Sequence, residues 1–86
     1  MSLKEEIRRY VVENFLFGED AGLKDDSSFI REGIVDSTGI MQLVSFIQEQ
    51  YRISVEDEEL TPENLDSIRR VTTFVEDKLR SSSGAP

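Results

Sequence analysis

Three stretches of the sequence carry apolar residues at three- and four-residue spacing with polar residues between them, and this period is what most limits the folds open to the chain. Leu3, Ile7, Tyr10 or Val11, and Phe15 predict an amphipathic first helix over residues 3–16, ended by Gly18. Ile40, Leu43, Val44, Ile47 and Tyr51 form the buried stripe of a second helix. It opens at Asp36-Ser37, where either side chain can cap exposed backbone N–H groups and the acid complements the helix dipole. Ile68, Val71, Val75 and Leu79 make the stripe of a final helix capped by Asp66-Ser67, with Lys78 and Arg80 at the end where the dipole favours cations. Between these lies Thr61-Pro62-Glu63, a capping hydroxyl followed by Pro at a first helical position, which predicts a short helix through Leu65. Strand-like alternation is confined to Ile53-Ser54-Val55. The pattern predicts a compact all-α bundle of three longer helices and one short one.

Residues 17–35 are loop-like, mixing Gly18, Gly22 and Gly33 with acids and with Ser27 and Ser28. So long a loop in so small a protein needs an anchor, and burial of Phe29, Ile30, Ile34 and Val35 is the expected one. There is no internal repeat and no second domain. Residues 1–80 form one domain, and Ser81 to Pro86 read as a disordered tail.

A chain of 86 residues buries a thin core and has little room for an enclosed active site with its supporting shell. It contains no Cys, no His and no Trp, which removes thiolate nucleophiles, imidazole bases, disulfides and the usual zinc ligand sets together. Carboxylates could pair as acid and base, but no pocket can be inferred around any pair, so the expectation is a protein that is not an enzyme. No apolar run reaches the length of a membrane span, and the charged start through Glu6 does not look like a secretory signal, so a cytoplasmic location is expected.

The net charge of −8 is unevenly spread. Residues 3–16 are neutral and residues 67–80 sum to +2, while residues 17–66 hold 13 acids against three bases, a net −10. That acidic middle repels nucleic acid phosphates and steers basic surfaces toward itself. Solubility alone is the plainer account of such a charge. The second helix is different, because its outward face presents Thr38, Met41, Gln42, Ser45 and Glu49, with Glu49 the only charge between Ser37 and Tyr51.

Ser37 stands after a long loop, at the start of a helix, directly behind Asp36. A hydroxyl there is exposed, and the adjoining N–H groups and positive dipole end can stabilise a phosphate ester. Position alone does not separate a modified serine from a plain cap, and caps are the commoner case. The segment Gly33-Ile34-Val35-Asp36-Ser37-Thr38-Gly39-Ile40-Met41-Gln42-Leu43-Val44 resembles the phosphopantetheine attachment motif of the acyl carrier protein family, Asp-Ser-Leu at the opening of the second helix. The segment from Ile53 to Ile68 is similar to the one that leads such proteins into their third and fourth helices, and the resemblance spans Leu3 to Leu79.

The resemblance implies a four-helix acyl-carrier bundle acting as a monomer. It implies a phosphopantetheinyl transferase that uses coenzyme A to attach 4′-phosphopantetheine to the Ser37 hydroxyl, making the chain a phosphoprotein, with Asp36 in support. The arm would end in a thiol that carries an acyl or aminoacyl group as a thioester, which accounts for the missing cysteine. Loading and unloading would fall to acyl- or aminoacyl-loading ligase or synthase enzymes, with partner contacts at Thr38, Met41, Gln42, Ser45, Glu56, Asp57, Glu58 and Glu59. Two positions depart from fatty-acid carriers: Thr38 replaces the usual Leu, and the outward face of the second helix lacks the usual Glu residues. Gly39 and Gln42 look more like carriers loaded by an AMP-forming ligase, as D-alanyl carriers are. A reading from a different class is an unmodified acidic helical module that binds a basic protein.

Overall fold

The computed structural model describes residues 2–84 apart from 17 and 19–21, with side chains through residue 80. Its described residues hold four α-helices and no strand: α1 Leu3–Phe15, α2 Ser37–Tyr51, α3 Pro62–Leu65 and α4 Ile68–Gly84, with a 3₁₀ turn at Asp57–Glu59. This is the all-α bundle that the apolar periods predict.

Each start has a local cause. Ser2 caps α1 in a reciprocal capping box with Glu5, a pairing that also lowers the Glu5 pKa. Asp36 caps α2 by accepting from Gly39 N–H at 2.8 Å. At α3 it is Pro62 in the first position that sets the start. The Thr61 hydroxyl makes no capping bond, which corrects that part of the expectation. At α4 the Ser67 Oγ accepts from Arg70 N–H at 3.1 Å. The first helix stops where Gly18, at φ 86°, turns back so that its N–H donates to the Val12 carbonyl at 2.9 Å.

The core lies where the stripes meet. Ile7 and Val11 of α1, Leu43 and Ile47 of α2, Leu65 of α3, and Ile68, Val71 and Val75 of α4 are buried together with Phe29 and Val35 of the loop. Ile40 and Tyr51 of the predicted α2 stripe are half-buried, and Leu79 is exposed. Along the α1–α2 seam Tyr10 stacks on Phe46 with ring centroids 4.0 Å apart, and Phe15 and Tyr51 meet that pair edge-on. Tyr51 donates its hydroxyl to Glu6 at 2.9 Å, and burial together with that carboxylate pushes its pKa well up.

Two further expectations need correction. Ile30 does not anchor the loop, since it is 56% exposed while Phe29 and Val35 take the buried positions. The backbone of α4 continues to Gly84, so Lys78 and Arg80 do not sit in its last turn. Nothing punctuates the chain before Gly84 and Pro86, and serine is a tolerable helix residue. Of the predicted tail, the side chains of residues 81–84 and all of Ala85 and Pro86 lie outside the described residues. Lys78 instead reaches Glu59 at 2.6 Å, tying the 3₁₀ turn to α4.

Candidate functional site

Ser37 is the first residue of α2 and is exposed, and its hydroxyl makes no hydrogen bond among the described residues. The cap is Asp36 alone, whose carboxylate takes the Gly39 N–H and whose carbonyl takes the Ile40 N–H at 2.8 Å. The sequence left the capping role open between the two residues. With Asp36 holding it, the Ser37 Oγ is free for other chemistry at the positive end of a 15-residue helix. The preceding turn leaves that end accessible, with Gly33 at φ 70° and the Ile34 and Val35 amides both donating to the Phe29 carbonyl.

Gly39 explains how closely α2 approaches its neighbours. It is buried, and a Cβ there would stand 2.7 Å from Val35 Cγ1 and 3.0 Å from Phe15 Cε1. The glycine therefore lets the start of α2 press against both the loop and the end of α1.

Beside Ser37 lies an apolar groove of about 290 Å³. α2 supplies Ser37, Ile40 and Met41 to it, the loop supplies Ile30, and the segment through α3 supplies Leu60, Thr61, Pro62, Leu65 and Asp66. Asp66 is a hub. Its carboxylate accepts from Ser28 Oγ at 2.5 Å and from Ile30 N–H at 3.0 Å, and its carbonyl accepts from Phe29 N–H at 2.8 Å. A larger hollow beside α3 and α4, about 630 Å³, has a mixed lining that sets Arg69 and Arg70 among Asp26, Glu63 and Asp77; it contains none of the candidate attachment or partner-contact residues.

Thr38, Met41, Gln42 and Ser45 are all exposed on α2, and Met41 is the one that reaches the groove. Glu56, Asp57 and Glu58 are exposed around the 3₁₀ turn. Glu59 differs from them, because its carboxylate is engaged by Lys78 and by the Glu56 N–H, and these hold its pKa below the usual range. Ile30, Leu60, Pro62, Leu65 and Asp66 are groove residues that sequence reasoning missed as such. Periodicity carries no signal for a loop residue, and of the pair Asp66-Ser67 expected to cap α4 it is Ser67 that does so, which leaves Asp66 to the loop.

A free serine hydroxyl at a helix start beside an apolar groove fits an arm joined through a phosphate ester: there is a nucleophilic oxygen without a competing partner, a dipole end for the phosphate, and a lining for an apolar chain. Among the described residues no helix is long and apolar enough to cross a membrane.

No family model matches the chain. Among curated proteins it is 27% identical over 74 residues to "Probable acyl carrier protein PigG" of a Serratia species, a match covering 86% of this chain and 85% of that protein. It is 37% identical over 76 residues to an acyl carrier protein of Campylobacter hominis, covering 88% of this chain and 92% of that one. On that likeness the chain belongs to the acyl carrier protein family, whose members carry their cargo on a 4′-phosphopantetheine group and are not enzymes.

Proposed function

We propose that this carrier bears its 4′-phosphopantetheine on Ser37 and, as a cytoplasmic monomer, delivers an acyl or aminoacyl thioester to partner enzymes. The observation that carries the assignment is the exposed Ser37 hydroxyl, uncommitted at the start of α2 while the neighbouring Asp36 does the capping. In the modification the Ser37 Oγ attacks the phosphorus of coenzyme A that bears the pantetheine. A P–O bond forms to the serine, the P–O bond to the nucleotide breaks, and the serine proton leaves to a base of the transferase. Once attached, the arm supplies the thiol that this cysteine-free chain lacks. Tethering raises the effective concentration of the cargo at each partner's active site.

Partner contacts are assigned to Thr38, Met41, Gln42 and Ser45 on α2, and to Glu56, Asp57, Glu58 and Glu59 around the 3₁₀ turn; the first three of these acids are the exposed ones. The outward face of α2, with Glu49 as its single charge, and the Gly39/Gln42 pattern favour loading by an AMP-forming ligase in a specialised pathway. Intact mass of the full chain before and after incubation with coenzyme A and a broad-specificity phosphopantetheinyl transferase tests the attachment. A gain of about 340 Da that maps to Ser37 and is absent from Ser37→Ala is expected. No gain from a folded sample would leave the unmodified acidic interaction module as the better account.

A further inference from the structure

One wall of the groove at Ser37 is held by very little. From Ser54 through Asn64 no side chain is buried, and the nearest buried ones stand outside, Ile53 before the segment and Leu65 after it. Between those anchors the 3₁₀ turn closes on itself: Glu59 N–H donates to the Glu56 carbonyl, Leu60 N–H to the Asp57 carbonyl and Thr61 N–H to the Glu59 carbonyl. Such local bonds travel with the segment and do not fix it to the bundle. Leu60 packs against the core only in part.

Among the described residues, one hydrogen bond or ion pair joins residues 56–61 to α1, α2 or α4, and it is the Lys78 ammonium on the Glu59 carboxylate at 2.6 Å. The flanking ties reach the backbone outside that stretch. Val55 N–H donates to Gln48 Oε1 at 2.9 Å, and Arg70 donates to the Glu63 carbonyl at 3.2 Å. Lys78 is seated for its task, with Nζ 5.7 Å from the centre of the ring of Phe74, which is buried one turn earlier on α4. The Glu59 Oε1 that meets it also accepts from Glu56 N–H at 2.9 Å, which keeps the carboxylate aimed.

The segment has room to move. Toward α2 lies the groove of about 290 Å³, to which it gives Leu60 and Thr61. Toward α4 lies a hollow of about 350 Å³ lined by Glu59, Asn64, Phe74, Asp77 and Lys78. A partly exposed ion pair counts for little in a whole domain, but it is a large share of what holds a short segment whose opening is cheap.

We propose that the Lys78–Glu59 pair is an electrostatic latch on the groove: when it parts, residues 56–61 swing as a strap between the anchors Ile53 and Leu65, and the groove beside Ser37 changes width. Screening by salt, or a cation that takes Glu59 from Lys78, releases the strap. The latch is a property of the chain itself and stands whether or not Ser37 is the attachment point.

The test uses the full unmodified chain, wild type beside Lys78→Leu and Lys78→Arg, and reads amide hydrogen exchange at Glu59, Leu60 and Thr61 by NMR. In about 0.02 M NaCl these amides are expected to exchange about three- to fivefold faster in Lys78→Leu than in wild type, and within about twofold of wild type in Lys78→Arg, which keeps the cation. In about 0.5 M NaCl the ratio of Lys78→Leu to wild type should fall below about twofold, because salt has already weakened the wild-type latch. Met1 and Met41 are the only methionines, so the Met41 methyl resonance reports on the groove, which Lys78 does not line. It should move in Lys78→Leu and return in Lys78→Arg.

Equal exchange in Lys78→Leu and wild type at low salt overturns the latch, since the segment would then open without parting the pair. Wild-type exchange at these amides with a urea dependence as steep as that of Val71 overturns the strap, since they would open only with the whole domain. A ratio unchanged by salt overturns the electrostatic origin and places the hold in the packing of the lysine stem. An unmoved Met41 methyl beside accelerated exchange overturns the link to the groove.

Discussion

Asp36 and Gly39 are where single residues set the site, and each lends itself to a substitution that separates two roles. Asp36→Ala removes the acceptor of the Gly39 N–H and is expected to cost about 1 kcal/mol, the usual value of a helix cap. Asp36→Asn keeps an acceptor and loses the charge, so its stability should stay within a few tenths of a kcal/mol of wild type. If Asp36 serves only the helix, Asn at that position is modified at the normal rate. If its charge also meets the transferase, the rate falls in both variants, and denaturant midpoints measured beside initial rates separate the two. At Gly39 two effects oppose. Ala gains about 1 kcal/mol over Gly from helix propensity, but overpacking costs about 1–3 kcal/mol. The atom that a Cβ would meet first is a methyl of buried Val35, a β-branched side chain stiff about χ1, so the clash is not relieved by a simple rotation. Gly39→Ala should therefore be destabilised on the order of 1 kcal/mol, which lowers the melting temperature by about 4–8 °C in a domain of this size. The Ser37 adduct should still form below the lowered melting temperature.

At the scale of elements, the long loop between α1 and α2 is held at two places in its described part. Asp25 accepts from Lys4 and Arg8, each at 2.8 Å, and its carbonyl takes the Arg69 N–H at 2.7 Å, while Asp66 holds the segment around Phe29. Hydrogen bonds from Lys4 and then Arg8 hold the Asp25 pKa at about 2, below its ordinary 3.8. A carboxyl with a depressed folded pKa stabilises the fold above its unfolded value, and that contribution is lost as pH falls through the folded one. The melting temperature of Asp25→Asn should lie below wild type by a constant margin above about pH 5, and the margin should shrink progressively below that, vanishing near about pH 1. A margin absent at every pH would mean that Asp25 holds the loop through its backbone alone, since the carbonyl that takes the Arg69 N–H is unchanged in the variant. The helices themselves were legible because their signal is local: an apolar residue every third or fourth place declares the face that α1, α2 and α4 bury. The loop was legible only as a loop. Of its four apolar residues Phe29, Val35 and the half-buried Ile34 turn inward and Ile30 turns outward, and that choice depends on an aspartate 36 positions further along. The same long-range bond is invisible in the sequence, where Asp66 stands only as one of the pair Asp66-Ser67 before a helix; Ser67 takes the cap and Asp66 the loop. At the candidate site the position of Ser37 and the scarcity of charge on α2 could be read from residues adjacent in the chain. The groove could not, because the loop, α2 and α3 each contribute part of its lining.

For the molecule as a whole, the uneven charge becomes a matter of packing. The neutral first helix and the cationic last one lend their bases to the acidic middle: Lys4 and Arg8 go to Asp25, and Lys78 goes to Glu59 while lying 5.7 Å from the centre of the Phe74 ring. These contacts compensate a small part of the −10 between residues 17 and 66. Two opposing salt effects follow. Screening weakens the ion pairs, and it also weakens repulsion among the uncompensated acids. The pairs are few and partly solvent-accessible, with side-chain exposures between 24% and 50%, so each contributes at most modestly. Repulsion acts among all the remaining acids and is strongest in the compact state, so its relief should win. At neutral pH the melting temperature should rise between about 0.01 M and about 0.3 M NaCl, as the screening length contracts from about 30 Å to below 10 Å. A rise of about 4–8 °C would correspond to roughly 1 kcal/mol for a domain of this size. Lys78→Met, which removes the cation beside Glu59 and leaves the bundle one charge more negative, should steepen that dependence; thermal melts followed by circular dichroism across the salt series would show it. A melting temperature that falls with salt would instead place the balance with the Asp25 and Glu59 pairs, and would make the acidic middle an internally compensated surface with little field left to steer a partner.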